Sequence, residues 1–277
     1  MSVALKDRGQ PKTKGKIRTW EEEIMAYPGT VLFDLDGTLV PVDMDFFYKA
    51  YVKEVSSRFA PIIPPEAFRE ALLESTYEMV SNLDPAVTNH EAFARAFSRR
   101  VGQPWEKLWP VFQDFYQRDF GRLKRFVPEN PHARSVVTQV LKAGWDIVLA
   151  TNAIFPEEAI RERMRWVNID DLPWKYITTM DNMHYCKPQL QYYEEILSIL
   201  KLDPSTCVMV GNDVEEDMVA QKLGMKTFLV EDFLIERGGS GLKPDGKGKL
   251  PDLLPFLARL AGEERPDESS NVALGPS

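Results

Sequence analysis

Short apolar runs recur along the chain and predict strands buried inside a sheet. The runs are TVLFDL (30–35), WDIVLATN (145–152), KYITTM (175–180), TCVMVGND (206–213) and KTFLVED (226–232). Each run is too short for a helix, and near-continuous hydrophobicity is typical of strands that are covered on both faces of a parallel sheet. The pattern therefore predicts a parallel sheet rather than an exposed antiparallel one.

Helical segments alternate with these runs from residue 130 onward. They are PHARSVVTQVLKAG (131–144), PEEAIRERMRW (156–166), PQLQYYEEILSIL (188–200) and EEDMVAQKLGM (215–225). The first begins with Pro131 and ends with Gly144, which is the usual asymmetry of helix ends. Alternating strands and helices predict right-handed crossovers and a doubly wound α/β fold.

The segment 43–125 shows helical spacing and no convincing strand pattern. Apolar residues recur every three or four positions in four stretches, which are 43–60, 65–80, 89–101 and 104–120. Four amphipathic helices with short links predict a small helical bundle, whose aromatic residues are expected mainly in its core. The bundle is inserted after the first strand, since the chain leaves the sheet near Val40 and returns near Val127.

The apolar pattern fades at both ends of the chain. Residues 1–27 are rich in Lys and Arg and are expected to form a basic, solvated tail, and residues 263–277 are expected to be disordered. The Gly- and Lys-rich stretch 238–249 predicts a flexible surface loop. The predicted organisation is thus an α/β core of residues 28–42 and 126–262, with residues 43–125 as the helical insert.

Composition narrows the classes of partner and the compartment. The chain has 277 residues, a net charge of -8 and only two cysteines. An acidic surface argues against nucleic acid or an anionic membrane as partner, and two cysteines make no disulfide framework. No apolar run reaches the roughly 18–20 residues of a membrane span, and the N-terminus lacks a signal-peptide pattern. We therefore expect a cytoplasmic protein.

The first candidate site residues follow the first strand. Asp34 and Asp36 are two positions apart in DLDGT, so both side chains can face the crevice at the carboxyl edge of the sheet, where ligands bind. Gly37 permits a tight turn and the close approach of a ligand. The alternative is a solvated Asp-Gly turn, which is a common pair in loops.

Two further strand ends carry polar residues that suit an anion. Thr151 and Asn152 could hold an anionic oxygen, or they could cap the helix that follows them. Lys187 could neutralise a phosphate, or it could be an ordinary surface charge. His184 and Cys186 flank Lys187 without a zinc-ligand spacing, so we interpret both as loop residues.

The fourth strand ends in the acidic run GNDVEED. Asp213 and Asp217 offer hard oxygen ligands of the kind that Mg²⁺ prefers, and their spacing of four could place them on one face of the turn. Glu215 and Glu216 are expected to favour the dipole at the N-terminus of a helix.

Taken in this order, the four features resemble the motifs of the haloacid dehalogenase-like (HAD) hydrolase superfamily over about residues 28–260. DLDGT matches the first motif closely. Thr151 after an apolar strand, Lys187 before Pro188, and the acidic run after Gly211 match the other three. The helical insert is similar to the C1-type cap of that family, and the resemblance implies a Rossmann-like core.

The resemblance also implies Mg²⁺-dependent phosphatase chemistry. Asp34 would ligate the metal and attack phosphorus to form an aspartyl-phosphate, while Asp36 would act as general acid and base and offer its backbone carbonyl to the metal. Thr151, the N–H of Asn152 and Lys187 would balance the charge of the phosphoryl group. Family dehalogenases lack the second Asp and family ATPases have Lys there, so Asp36 favours phosphoester hydrolysis.

The fourth motif departs from the commonest family pattern. The position directly after the Gly is Asn212 here instead of Asp. Either Asp213 binds the metal with Asp217 in support, or Asn212 is a neutral ligand and Asp217 helps to hold Lys187. Charge favours the first alternative, because a neutral ligand weakens magnesium binding.

The residues leave the substrate and some rival activities open. A helical lid that closes over the strand edge suits a small phosphorylated metabolite, such as a sugar phosphate, phosphoglycolate or a nucleotide. A phosphomutase, a phosphonate hydrolase or a non-catalytic binding protein of the same fold are the alternatives. A carbon–halogen hydrolase is disfavoured, because Asp36 has little to do in that reaction.

Overall fold

A single parallel sheet organises the part of the chain that the computed structural model describes, residues 29–263. Within that range six strands pair in the order β3-β2-β1-β4-β5-β6. They are β1 (Thr30–Phe33), β2 (Asp146–Leu149), β3 (Tyr176–Ile177), β4 (Cys207–Gly211), β5 (Lys226–Val230) and β6 (Gly246–Gly248). All of these pairs are parallel. The doubly wound α/β fold is confirmed.

Helices cover both faces of the sheet. They are α5 (Ala133–Lys142), α6 (Glu157–Trp166), α7 (Leu190–Leu200) and α8 (Leu253–Glu263). Alternate residues of β1 enter separate apolar clusters, with Val31 and Phe33 in one and Leu32 in the other. Burial on both faces explains why the central strands β1, β2, β4 and β5 read as continuous apolar runs rather than as alternating ones.

A bundle of helices is inserted between β1 and β2. It consists of α1 (Met44–Phe59), α2 (Pro65–Val80), α3 (Asn89–Val101) and α4 (Trp105–Arg118), followed by a 3₁₀ helix at Phe120–Phe126. The helix ends follow from local sequence: Asp43 caps α1, and Thr88 with Glu91 forms a capping box at α3. We call this bundle the cap. Its packed rings, among them Phe59, Phe68 and Phe112, form its core.

The start of α3 ties the cap to the core. The Asn89 side-chain amide donates to the carbonyl oxygens of Ala153 and Tyr185, both at 3.1 Å. The backbone N–H groups of Asn89 and His90 donate to Met183 and Met180. These bonds hold the bundle over the loops that follow β2 and β3.

Two predicted elements differ in the structure. The stretch 238–249 was predicted to be a loop, but Gly246–Gly248 forms the edge strand β6 beside β5. A Cβ on Gly246 would lie 2.5 Å from the ring of Phe256, so close packing of α8 explains a glycine in this strand. The segment 215–225 was predicted to be a helix, and only Met218–Leu223 is helical, as a short 3₁₀ turn.

The predictions for residues 1–27 and for residues 264–277 lie outside the described residues, and Glu263 is the last residue of α8. None of the helices between residues 29 and 263 combines the length and the apolar character that a membrane span requires.

Candidate active site

Lys187 lies between two buried carboxylates at the carboxyl edge of the sheet. Its Nζ donates to Asp34 Oδ1 at 2.9 Å and to Asp217 Oδ1 at 2.6 Å. The side chains of Lys187 and Asp217 are each 1% exposed. Asp34 directly follows β1, and its N–H donates to Val210 of the neighbouring strand. The surface-charge interpretation of Lys187 is therefore wrong, since a charge this deeply buried requires partners.

Burial and charge oppose each other in this triad. Burial alone would lower the pKa of Lys187, but Asp217 and Asp34 outweigh it and raise the pKa well above its usual value. The two carboxylates share one ammonium, so one negative charge is left over in a poorly solvated site. Burial accordingly raises the pKa of Asp34, and it raises the pKa of Asp217 to about 6 even though Lys187 opposes the rise.

Asp36 is paired with an arginine that the sequence did not single out. Its Oδ2 accepts a hydrogen bond from Nη1 of Arg163, a side chain of α6 that is 1% exposed. The other oxygen, Oδ1, is buried and has no hydrogen-bond partner among the described residues. Burial raises the pKa of Asp36, and Arg163 only partly offsets that rise.

The residues after β2 reach the same site. Thr151 is buried, and its backbone carbonyl accepts from the hydroxyls of Tyr192 and Thr178, both at 2.7 Å. The Asn152 side chain accepts from the N–H of Lys187 and donates to Glu216 at 3.1 Å. Helix α6 begins only at residue 157, and the side chain that accepts from its first N–H group belongs to Asp181, so the capping interpretation of Thr151 and Asn152 is wrong.

The polar side chains that follow β4 have different bonding partners. Both carboxylate oxygens of Asp213 lie within 3 Å of Nη1 of Arg237, and Oδ1 also accepts the N–H groups of Glu215 and Glu216. The Asn212 amide accepts from the Thr38 hydroxyl at 3.1 Å. An acidic helix N-terminus was expected here, but these acids fold into a turn instead.

Asp217 uses both of its carboxylate oxygens within the protein. Oδ2 accepts the N–H of Asp213 at 3.0 Å, while Oδ1 accepts from Lys187. A Cβ on Gly211 would lie 2.0 Å from Oδ2 of Asp217, so only glycine allows this approach. The arrangement matches the alternative in which Asp217 helps to hold Lys187.

The side chains surround one cavity of about 170 Å³. Its walls combine the strand-end polar residues with apolar groups from the cap and from the loop after β2. The lining residues are Asp34, Asp36, Met44, Thr151, Asn152, Ile154, Phe155, Asn212, Asp213, Glu216, Asp217, Ile235 and Arg237. Every predicted site residue lies at this cavity, Lys187 through its bonds to Asp34 and Asp217.

The donor set of the cavity fits a magnesium ion. Its polar lining offers carboxylate and amide oxygens and neither thiol nor imidazole. Within residues 29–263, no three His, Cys, Asp or Glu side chains are grouped as a complete metal site. Mg²⁺ does not need such a group, because it is usually held by one or two carboxylates and keeps several waters.

Sequence reasoning missed three charged residues at this site. Arg163 falls on the buried face of α6 with Ala159 and Ile160, and a charge on an apolar helix face was the available signal. Glu216 was assigned to a helix dipole, but it lines the cavity, and burial raises its pKa to about 7. Arg237 lies in a loop without any pattern that would have marked it.

Comparison with known proteins identifies the family. A family model described as haloacid dehalogenase-like hydrolase matches residues 28–224, which is more than half of the chain. The chain belongs to the haloacid dehalogenase-like hydrolases. The ordered motifs of the sequence predicted the same family, and the match shows that the protein belongs to a hydrolase family.

Two relatives of this hydrolase are distant in sequence. Pyrophosphatase PpaX of Bacillus mycoides (strain KBAB4) is 23% identical over 235 residues, which cover 84% of this chain and 98% of the relative. Pyrophosphatase PpaX of Bacillus cereus (strain Q1) is 24% identical over 233 residues, covering 83% and 97%. The chain therefore spans these relatives almost completely.

Solved structures of the same family share the fold. The 2-haloacid dehalogenase from Pseudomonas syringae pv. Tomato DC3000 aligns with a TM-score of 0.57 at 20% identity, over 84% of this chain and 99% of that one. A HAD phosphatase from Thermococcus onnurineus aligns with a TM-score of 0.52 at 17% identity, over 83% and 97%. Dehalogenases and phosphatases both appear, so the fold does not choose between these activities.

Proposed function

We propose that this hydrolase is a Mg²⁺-dependent phosphatase that cleaves a small phosphate monoester through an aspartyl-phosphate on Asp34. The observation that carries the proposal is the pairing of Asp34 and Asp36 at one cavity. One carboxylate is bonded to the buried Lys187, and the other is held by Arg163 with one oxygen unpartnered. A nucleophile next to a separate proton carrier is the arrangement that phosphoester hydrolysis requires.

Asp34 is suited to attack phosphorus. It is oriented by its backbone bond to Val210 and by Lys187, whose ammonium also attracts the phosphoryl oxygens. Thr151 lines the same cavity and offers a hydroxyl to those oxygens. Prepositioned donors of this kind stabilise the charge of the transferring group without reorganisation during the reaction.

Asp36 distinguishes this chemistry from dehalogenation. An alkoxide leaving group needs a proton as the phosphorus–oxygen bond breaks, whereas a halide needs none. Asp36 would supply that proton and later accept one from the water that attacks the aspartyl-phosphate. The carboxylate would then have a defined role in both half-reactions, which the dehalogenase alternative does not give it.

A magnesium ion would be held by Asp34, by the backbone carbonyl of Asp36 and by the fourth strand end. When bound there, it supplies positive charge between the carboxylate nucleophile and the phosphate dianion. Arg237 already neutralises Asp213, so we propose that the Asn212 amide, rather than Asp213, faces the cation. This reverses the preference that charge alone suggested.

The cavity favours a small substrate. A volume of about 170 Å³ beneath the cap suits a phosphoryl group with a small organic part rather than a macromolecule. Pyrophosphate is the second candidate, because the relatives are named pyrophosphatases and Arg237 at the cavity could meet a second phosphate. A phosphomutase or a phosphonate hydrolase would use the same residues and differ in product.

A panel of phosphorylated compounds tests the proposal directly. Purified protein with Mg²⁺ should release inorganic phosphate from aryl and small alkyl phosphates, and EDTA should abolish the release until Mg²⁺ is restored. Including pyrophosphate and a phosphonate in the panel, and searching for rearranged substrate, separates the alternatives. A protein that is inert toward every phosphoester with metal present would refute the proposal.

The nucleophile is tested by Asp34→Asn. We expect it to abolish turnover, and acid-quenched mass spectrometry of the wild type should find the phosphoryl group on the peptide that contains Asp34. Asp45→Asn, at an exposed position of α1, is the matched control and should leave turnover unchanged. Retained activity in Asp34→Asn would contradict the assignment.

A further inference from the structure

Arg163 is an unusual side chain for a helix that packs on the core. Its guanidinium is fully buried, with Nε donating to the carbonyl of Ala159 at 3.2 Å and Nη1 donating to Asp36. One face of the guanidinium lies over the ring of Phe155, 4.4 Å from its centroid. Burying an arginine is costly unless its charge is paired, so this position calls for a specific reason.

The pairing leaves the two oxygens of Asp36 in different environments. Oδ2 accepts the bond from Arg163, whereas Oδ1 has no partner among the described residues. Since Asp36 lines the catalytic cavity, one oxygen is fixed to α6 and the other remains for a reacting group. The carboxylate cannot rotate freely about its last bond without losing its buried counter-charge.

We propose that Arg163 is a positioning residue that fixes Asp36 through Oδ2 and so makes Oδ1 the oxygen that transfers the proton. The inference rests on the proposed phosphatase function and adds a residue to it. An arginine suits this role because its guanidinium keeps its charge at any working pH and cannot itself take the proton of Asp36. Arg163 acts through Asp36 and does not touch the substrate.

The proton balance of both half-reactions follows from this geometry. As Asp34 bonds to phosphorus and the ester oxygen departs, the proton on Oδ1 of Asp36 moves to that oxygen, and Arg163 pairs with the new carboxylate. Water then attacks phosphorus and gives its proton to Oδ1, while the bond from phosphorus to Asp34 breaks. Asp36 is protonated again and Arg163 is unchanged.

The test compares two substrates of similar shape and different leaving-group acidity. Para-nitrophenyl phosphate expels an oxygen that needs no proton, whereas para-nitrobenzyl phosphate expels one that does. The ratio kcat/KM reports on the step in which the leaving group departs. We expect Arg163→Met to lower kcat/KM by about 10²-fold for the benzyl ester and by less than about 10-fold for the phenyl ester.

Three controls separate positioning from a structural role. Arg161→Met, on the same helix with an exposed pair to Glu157 at 2.6 Å, should change neither substrate. In an Asp36→Asn background, Arg163→Met should have no further effect on the benzyl ester, because the two residues act as a unit. If Arg163→Met folds poorly, Arg163→Lys replaces it as the test variant. It should recover part of the kcat/KM for the benzyl ester.

The outcomes distinguish a failure of the role proposed for Arg163 from a failure of the proposed phosphatase function. Equal losses on both substrates, an additive loss in the Asp36→Asn background, or no loss at all would overturn the role of Arg163 while leaving the phosphatase function intact. If the wild-type protein hydrolyses neither ester, the proposed function fails first. A selective loss on the benzyl ester that vanishes without Asp36 supports the inference.

Discussion

Replacing Lys187 by methionine tests whether the site is built around a buried positive charge. Its ammonium lies 2.9 Å from Asp34 and 2.6 Å from Asp217, and the side chain is 1% exposed. Methionine keeps an unbranched apolar stem of similar length, so Lys187→Met removes the charge and little of the packing. Both carboxylates would then be buried without a cation.

Lys226 provides a matched comparison on the protein surface. Its Nζ lies 3.1 Å from Asp245, a distance close to those of Lys187, but its side chain is 50% exposed. Removing one partner of a buried ion pair costs about 3–5 kcal/mol. An exposed pair contributes only about 0.2–1 kcal/mol, because water and salt screen it. Because the distances are similar, the comparison tests burial together with the second carboxylate partner of Lys187, and not distance.

The assay is urea unfolding of the metal-free protein at neutral pH, followed by circular dichroism. We expect Lys187→Met to lower the free energy of unfolding by about 3–5 kcal/mol, and Lys226→Met to lower it by less than about 1 kcal/mol. If both variants lose the same small amount, Lys187 is not the buried counter-charge of Asp34 and Asp217, and the charge arrangement of the site described above is wrong.

Two further predictions concern the acidic side of the cavity. Folding raises the pKa of Glu216 from 4.5 to about 7, so its contribution to stability is present below pH 4.5 and is lost as the pH rises through 7. In urea unfolding without metal, Glu216→Gln should reduce the pH dependence of the free energy of unfolding by about 2 kcal/mol. This figure is smaller than the full pKa shift would give, because the side chain is 28% exposed. An unchanged pH profile would contradict the prediction. Because Arg237 neutralises Asp213, Asn212→Ala should raise the Mg²⁺ concentration needed for half-maximal activity more than Asp213→Ala does, and the opposite order would return the metal to Asp213.

The sequence was sufficient for five of the six strands of the described sheet and for the placement of Asp34 and Thr151 at one of its edges. Strands buried on both faces read as apolar runs, and the carboxyl ends of parallel strands share one edge, so Asp34 after β1 and Thr151 after β2 had to approach one another. Lys187 reaches them from the long loop between β3 and α7, which strand ends alone do not fix. Residue spacing could not reveal how Asp213 and Asp217 divide their bonds, because that division depends on Arg237 and Lys187, which are distant along the chain.

Side-chain partners from other elements explain the remaining misses. Arg163 pairs with Asp36 across 127 positions of sequence, and no periodicity connects a helix position with a strand end at that distance. The edge strand β6 was hidden because glycine is a weak strand former, and close packing against Phe256 selected it there. Both misses arise where tertiary contacts override local preference.

The charges around the cavity give a reason for a divalent cation that is independent of family resemblance. Among the described residues, five carboxylates line the cavity, namely Asp34, Asp36, Asp213, Glu216 and Asp217. The cationic side chains bonded to them are Lys187, Arg163 and Arg237. Full ionisation would leave two negative charges in a poorly solvated site, which is where burial raises carboxyl pKa values. A phosphate dianion entering that site would be repelled, whereas one Mg²⁺ would offset the excess, so we expect the metal to bind before the substrate.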